Sequence, residues 1–449
     1  MVKSALERPF RACFSSIVAP LRHAGIVLSN LEGQMSSKPF GPSVRHMSVV
    51  FAVIATLTTA ALGTERILYS FAGDEDGEYA DTGLVIDSAG NLYGTTIQGG
   101  THTSGTVFQL TPSGKHTVLY NFSGGADGSE PYKGVTLDEA GNLYGTTVAG
   151  GSTVCDGGCG VVYKLTKSGG TWTQSVIHAF TGGADGSGAG SPLAFDKRGN
   201  IYGMTPGGGG TGCFGLGCGV IFRLEPDGTG NWTLRVLHTF AGGADGFGGS
   251  AGRLLIAHGG RVYGVVTQGG AYQQGVAFEL TPTATGEWKF KTIYAFKGQP
   301  DSGSPYGGLI ADKLGNLYGT TYFGGTNGLG SVYKLERNGA SWNETVPYSF
   351  QGGSDGDSPI STLAFDSAGN LYGTTSFDGN AICACGTIFK LAPGANGQWT
   401  ETVVHRFKGP TTDGSLPYTG MVADSFGQFY GAARNGGTGD DGAIYKFVP

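Results

Sequence analysis

The chain has 449 residues, 85 of them glycine and 11% aromatic, with 28 Lys and Arg against 34 Asp and Glu. Residues 1–63 hold six of the basic and two of the acidic residues, leaving 22 basic and 32 acidic beyond them. That formal charge of −10 excludes nucleic acid and anionic lipid as natural partners of the surface. So much glycine without a G-X-Y period, and with this many aromatics, fits neither collagen nor a disordered chain and points to turns between packed strands.

The first feature in chain order is the apolar, uncharged string MSVVFAVIATLTTAALG, Met47 to Gly63. It is too short to span a bilayer comfortably and closes on Ala61-Leu62-Gly63, a small-x-small cleavage pattern. It predicts a signal-peptide core, with Lys38 and Arg45 as the positive flank if translation starts at Met35. Residues 1–63 then form a leader whose first 34 residues are an over-called gene start; a single N-terminal membrane anchor is the alternative. The mature chain, 64–449, is expected outside the cytoplasm, whether secreted, periplasmic or on the cell surface, with no membrane span of its own.

Beyond the leader the string DSAGNLYGTT occurs at Asp87–Thr96 and again at Asp366–Thr375, with near-copies between and after. Its Tyr recurs as Tyr93, Tyr144, Tyr202, Tyr263, Tyr318, Tyr372 and Tyr430, at spacings of 51, 58, 61, 55, 54 and 58 residues. A period of that size with four short apolar runs per unit indicates propeller blades, and no helical period appears. In the first unit GLVID turns into NLYGTT through a tight hairpin, with Asp87 capping and Gly90 free to take a positive φ. A glycine-rich loop leads to GTVFQL, and a further turn to TVLYNF. The third strand places its aromatic at Phe108, Tyr163, Phe222, Phe278, Tyr333, Phe389 and Tyr445. The fourth ends in Phe71, Phe122, Phe180, Phe240, Phe296, Phe350 and Phe407. Trp172, Trp232, Trp288, Trp342 and Trp399 precede that Phe by eight, an even offset that predicts one shared strand face.

The repeats open on a lone fourth strand, RILYSF, and end after a third strand, GAIYKF. Ring closure balances them and removes exposed sheet edges. The expected fold is all-β: a seven-bladed β-propeller of four-stranded antiparallel blades, the last closed by the N-terminal strand. The repeat units run approximately over 66–116, 117–175, 176–235, 236–291, 292–345, 346–402 and 403–449.

The unit GLxxDxxGNLYGTTxxGG…GTVFKLTP…VLYxFxGGxDG resembles the GloVer tandem repeat of the choice-of-anchor tandem repeat GloVer-containing proteins, over roughly 65–449. The resemblance implies an extracytoplasmic bacterial propeller, often with a C-terminal sorting anchor. The sequence departs from that pattern in showing no anchor motif before Pro449.

Three cysteine pairs fall in loops between second and third strands: Cys155 with Cys159, Cys213 with Cys218, and Cys383 with Cys385. In an exported chain they predict local disulfides, since a zinc site needs four converging ligands and no His accompanies them. Cys383 and Cys385 enclose the most strained ring, and Cys13 lies in the leader. After each fourth strand comes GGADG or a relative, bearing Asp76, Asp127, Asp185, Asp245, Asp301, Asp355 or Asp413. Backbone capping accounts for them, and ligand binding on the loop face is the functional alternative. Calcium is best placed in the first unit, at Asp74, Asp76, Glu78 and Asp81, although an EF-type loop wants glycine where Tyr79 stands. No other cofactor is expected. His178, His238 and His405 share a slot with Tyr69, Tyr120, Tyr294 and Tyr348, which reads as packing without an acid/base partner. GGSAG at Gly248–Gly252 matches a nucleophile pattern and GGGGTG at Gly207–Gly212 a phosphate loop, but without a following helix both read as loops.

Crossovers and second-to-third-strand loops emerge on one face of a propeller, so a site belongs there. The leading expectation is an exported, monomeric, non-catalytic propeller that binds a glycan or an extracellular protein. The alternative is an extracellular polysaccharide-active enzyme using carboxylates of that face.

Overall fold

The computed structural model describes residues 63–249, 252–378, 385–409 and 413–449. The expected leader falls outside them apart from Gly63, as do Ser250 and Cys383. Seven antiparallel sheets follow one another as seven blades. The first comprises Val85–Ile86, Leu92–Thr96, Thr106–Leu110 and His116–Asn121, and the same order recurs through the sixth, which ends at Trp399–Arg406. The seventh takes Val422–Ala423, Phe429–Ala433 and Ala443–Val448 from the C-terminus and Thr64–Ser70 from the N-terminus. This seam is registered from Thr64 opposite Val448 to Ser70 opposite Ala443. The expected propeller and its closure are therefore present.

The repeated decapeptide is a self-contained hairpin. Asp87 accepts from the Ala89 and Asn91 amides, both at 2.9 Å, from Asn91 Nδ2 at 2.8 Å and from the Tyr93 hydroxyl at 3.0 Å. Burial raises the Asp87 pKa, but these four donors outweigh it and hold the carboxyl below its ordinary value. Asp138, Asp196 and Asp312 repeat the cage, and Asp424 does so with Gln428 in the Asn position. Blade four lacks it: Ala257 and Arg261 stand in for Asp and Asn, and Arg261 with Tyr263 engages Glu279 of the third strand instead.

First strands line the axis. Thr136 Oγ1 of blade two donates to the Leu193 carbonyl of blade three, Gly308 N of blade five to Thr362 of blade six, and Thr419 of blade seven to the Thr82 carbonyl of blade one. Arg253 of blade four reaches past blade three to Thr136 of blade two, at 2.9 Å, which only a position near the axis allows.

Aromatic rings fill the spaces between blades, in one respect differently from expectation. Each fourth-strand Phe packs forward on the third-strand ring of the next blade, as Phe122 does on Tyr163 and Phe180 on Phe222. Each Trp packs backward, Trp172 on Tyr93 and Trp232 on Tyr144. Trp and Phe thus lie on opposite faces of their blade, contrary to the even offset. The cause is a β-bulge in every fourth strand. Opposite Val162 stands His178, but opposite the next residue, Tyr163, stands Val176, so Ile177 is extra and inverts the alternation. The same shift occurs in the other six blades.

Candidate functional site

Crossovers from outer fourth strands to inner first strands pair with the second-to-third-strand loops on their way: Glu78 with Gln98, Ser129 with Ala149, Ser187 with Gly207 and Asp357 with Phe377. Both loop sets therefore share one face. The disulfides Cys155–Cys159 and Cys213–Cys218 are present there, with Cα separations of 5.1 and 5.2 Å. They press on the crossovers: a Cβ on Gly182 would meet Cys155 Sγ at 2.6 Å, and one on Gly242 would meet Cys213 Sγ at 2.6 Å, so only glycine fits. Cys385 is also disulfide-bonded, in a loop of which 379–384 lie outside the described residues.

The seven turns that follow the fourth strands have a common construction that the sequence reading missed. Tyr69 donates to Asp76 at 2.6 Å, Tyr120 to Asp127 at 2.9 Å, Tyr294 to Asp301 at 2.7 Å and Tyr348 to Asp355 at 2.9 Å. His178, His238 and His405 bring Nε2 to within 3.0–3.1 Å of Asp185, Asp245 and Asp413. Six of these carboxylates also accept the amide that follows the blade's last Phe, as with Ala72, Ser123 and Lys408. The exception, Asp301, accepts Ser302 N. The Tyr/His slot is thus more than packing: both rings stack edge-on against the Phe and place one proton donor on the Asp. The signal in the sequence was a position that admits only these two donors, seven residues before the Asp in six blades.

The residue six before the closing Phe of the next blade, in register with each Asp junction, varies. It is His116, Gln174, Leu234 and Phe290 through the first four junctions, then Glu344, Glu401 and Glu65. Burial pushes the Glu401 carboxyl up to about 7, with Asp355 adding to the shift and Arg406 opposing it. A carboxyl raised from its ordinary value contributes stability that is present below about pH 4.5 and lost as pH rises through 7. Glu401→Gln is accordingly expected to stabilise the protein at pH 8 by ~1–2 kcal/mol and to leave it unchanged at pH 4. Urea titrations at the two pH values read this, and an equal effect at both would contradict the assignment.

The four residues of the calcium expectation do not converge. Asp76 is held by Tyr69, the Glu78 carboxylate accepts the Asp74 amide at 3.3 Å, and Asp81 turns to the axis. Among the described residues the one trio of ligand-type atoms within 4.8 Å of each other is Glu65, His405 and Asp413.

At the channel mouth the repeat symmetry breaks. The slot two residues before the first apolar residue of the inner strand holds Thr82, Ser191, Gly252, Gly307, Ser361 and Thr419, but Lys133 in blade two. Lys133 is buried, with Nζ 3.5 Å from Asp81 Oδ1 of blade one, 4.3 Å from the centre of the Tyr132 ring and 5.8 Å from that of Tyr306 in blade five. Burial opposes the ammonium charge, but Asp81 together with the tyrosines outweighs it, and the Lys133 pKa stands above its ordinary value. Asp81 Oδ2 is buried without a hydrogen-bond partner. Tyr418 of blade seven feels both charges, and Arg434 lies 5.8 Å over its ring and 5.5 Å over that of Tyr79. Tyr132, Tyr306 and Tyr418, all half-buried, thus surround one ion pair on the axis. On the opposite face, a wide groove of 1090 Å³ between blades two and three is lined by hairpin residues such as Asp138 and Lys197 and gathers no such cluster.

A family model described as the Gloeobacter/Verrucomicrobia repeat matches residues 48–255 and 250–449. No curated relative matches the sequence. Among solved structures, a protein provisionally described as a gluconolactonase aligns with a TM-score of 0.39 and 16% identity over 70% of this chain and 89% of its own. The tricorn protease aligns with a TM-score of 0.39 and 15% identity over 74% of this chain and 27% of its own. Neither likeness bears on chemistry.

Proposed function

The chain belongs to the Gloeobacter/Verrucomicrobia repeat family, and from that premise we propose that it is an exported propeller that binds an extracellular glycan at the channel mouth without transforming it. The observation that carries this reading is the break in symmetry at Lys133, which gathers Asp81, Tyr132 and Tyr306 from three blades. Tyrosine faces pack against the C–H faces of sugar rings, while hydroxyls and a fixed ion pair supply directional polar contacts. The two disulfides support the extracytoplasmic part of the reading, because such bonds persist in oxidising compartments. Among the described residues no helix is long and apolar enough to cross a membrane.

A glycan array followed by calorimetry tests this. Tyr306→Ala is expected to weaken binding of the best oligosaccharide by roughly tenfold, about 1–1.5 kcal/mol, without changing the fold. Binding unaffected by Tyr306→Ala and Tyr418→Ala together would move the site elsewhere. The enzyme alternative draws on the raised Glu401 beside Asp355, a pairing suited to acid/base work. Glu401 sits on the outer strand of blade six and Asp355 in the turn that follows the outer strand of blade five, away from the first strands that line the axis. Release of reducing sugar that Asp355→Asn abolishes would promote that alternative.

A further inference from the structure

Glu65, His405 and Asp413 meet where the N-terminal strand, the outermost of blade seven, packs against blade six, and we propose that they bind one divalent metal ion of the zinc class that staples that closing strand to the neighbouring blade. His405 Nε2 lies 3.1 Å from Asp413 Oδ2 and 3.9 Å from Glu65 Oε2, and the three ligand atoms fall within 4.8 Å of one another. Ligands at about 2.0–2.2 Å on a tetrahedral zinc stand about 3.4 Å apart, so small shifts complete the geometry, with water in the fourth position.

The Glu65 side chain is only 7% exposed, and its Oε1 is buried with no hydrogen-bond partner. An orphaned carboxylate oxygen beside a second carboxylate calls for a cation or a proton between them. Burial raises the Glu65 carboxyl to about 7, with His405 and Lys408 opposing and Asp413 reinforcing the shift. Asp413 Oδ1 already accepts the Lys408 amide at 2.6 Å, which fixes the carboxylate from behind as outer-shell partners do.

The repeat supplies internal controls. His178 with Asp185 and His238 with Asp245 have the same two-residue geometry, but the position equivalent to Glu65 is filled by Leu234 and Phe290, neither a carboxylate, and Phe290 stacks on His238. Glu344 and Glu401 fill the Glu65 position at two other junctions, but beside Tyr294 and Tyr348, so among the described residues only this junction brings His, Asp and Glu together. A metal there links the first strand of the described fold to blade six independently of the channel mouth.

The test uses the purified full chain, dialysed against chelator and titrated with zinc chloride, with cobalt(II) absorption as a second readout. One equivalent should bind and raise the melting temperature. Glu65→Gln and His405→Tyr should each weaken binding by at least about tenfold, while His178→Tyr leaves it unchanged. Tyrosine already fills that slot in four blades, so His405→Tyr keeps the fold even if Glu65→Gln does not, as circular dichroism would verify. Absence of saturable binding, or binding that survives both variants, overturns the proposal and leaves a shared proton between the carboxyls.

Discussion

Removal of Thr64–Phe71 is expected to lower the melting temperature by at least ~10 °C, because it opens the ring at its seam. The deletion strips the antiparallel partner from Ala443–Val448 and leaves a hydrophobic third strand as an exposed edge. It also removes Phe71, which is fully buried against Phe108 of blade one. Phe71→Ala alone should cost about 3–5 kcal/mol, the range for emptying a large aromatic site. Each kcal/mol corresponds to roughly 2 °C in a domain of this size, so the deletion must exceed the point mutant. Differential scanning calorimetry of the two variants and the parent reads the order directly. A deletion no worse than Phe71→Ala would mean that strand pairing at the seam contributes nothing.

Lys133→Met is the other substitution with a large expected effect. It strips the partner from Asp81, whose side chain is fully buried with one oxygen already unpaired, and breaking a buried pair from one side costs about 3–5 kcal/mol. Asp81→Leu combined with Lys133→Met should recover most of that loss, since a well-packed apolar pair of similar volume is commonly neutral. The double variant should nevertheless bind no glycan, which separates the stability of the mouth from its recognition. Denaturant titration gives the first quantity and calorimetry the second. Equal stabilities for the single and double variants would show that Lys133 and Asp81 are not coupled.

The architecture was legible because each repeat word describes a local object. DSAGNLYGTT spells a hairpin in which Asp87, Asn91 and Tyr93 satisfy one another within seven residues, so copying the word copies the turn. The cysteine pairs were legible for the same reason, being four and five residues apart. The face of the tryptophans was not, because parity counting assumes an unbroken strand and Ile177 adds a residue that no apolar pattern announces. The mouth was invisible for a different reason. Lys133 and Tyr306 are 173 residues apart in sequence and meet only because seven first strands circle one axis. A single lysine in a slot otherwise filled by Thr, Ser and Gly was the available trace. The seam trio was hidden likewise, since Glu65 and His405 come from opposite ends of the chain.

A crystal structure of the protein with the tightest oligosaccharide from the array would show whether the channel mouth is the binding site. An intact sugar is expected against the Tyr132, Tyr306 and Tyr418 rings, with a hydroxyl within hydrogen-bond distance of Asp81 or Lys133. A sugar bound at the outer strands beside Asp355 and Glu401, or found cleaved, would contradict it.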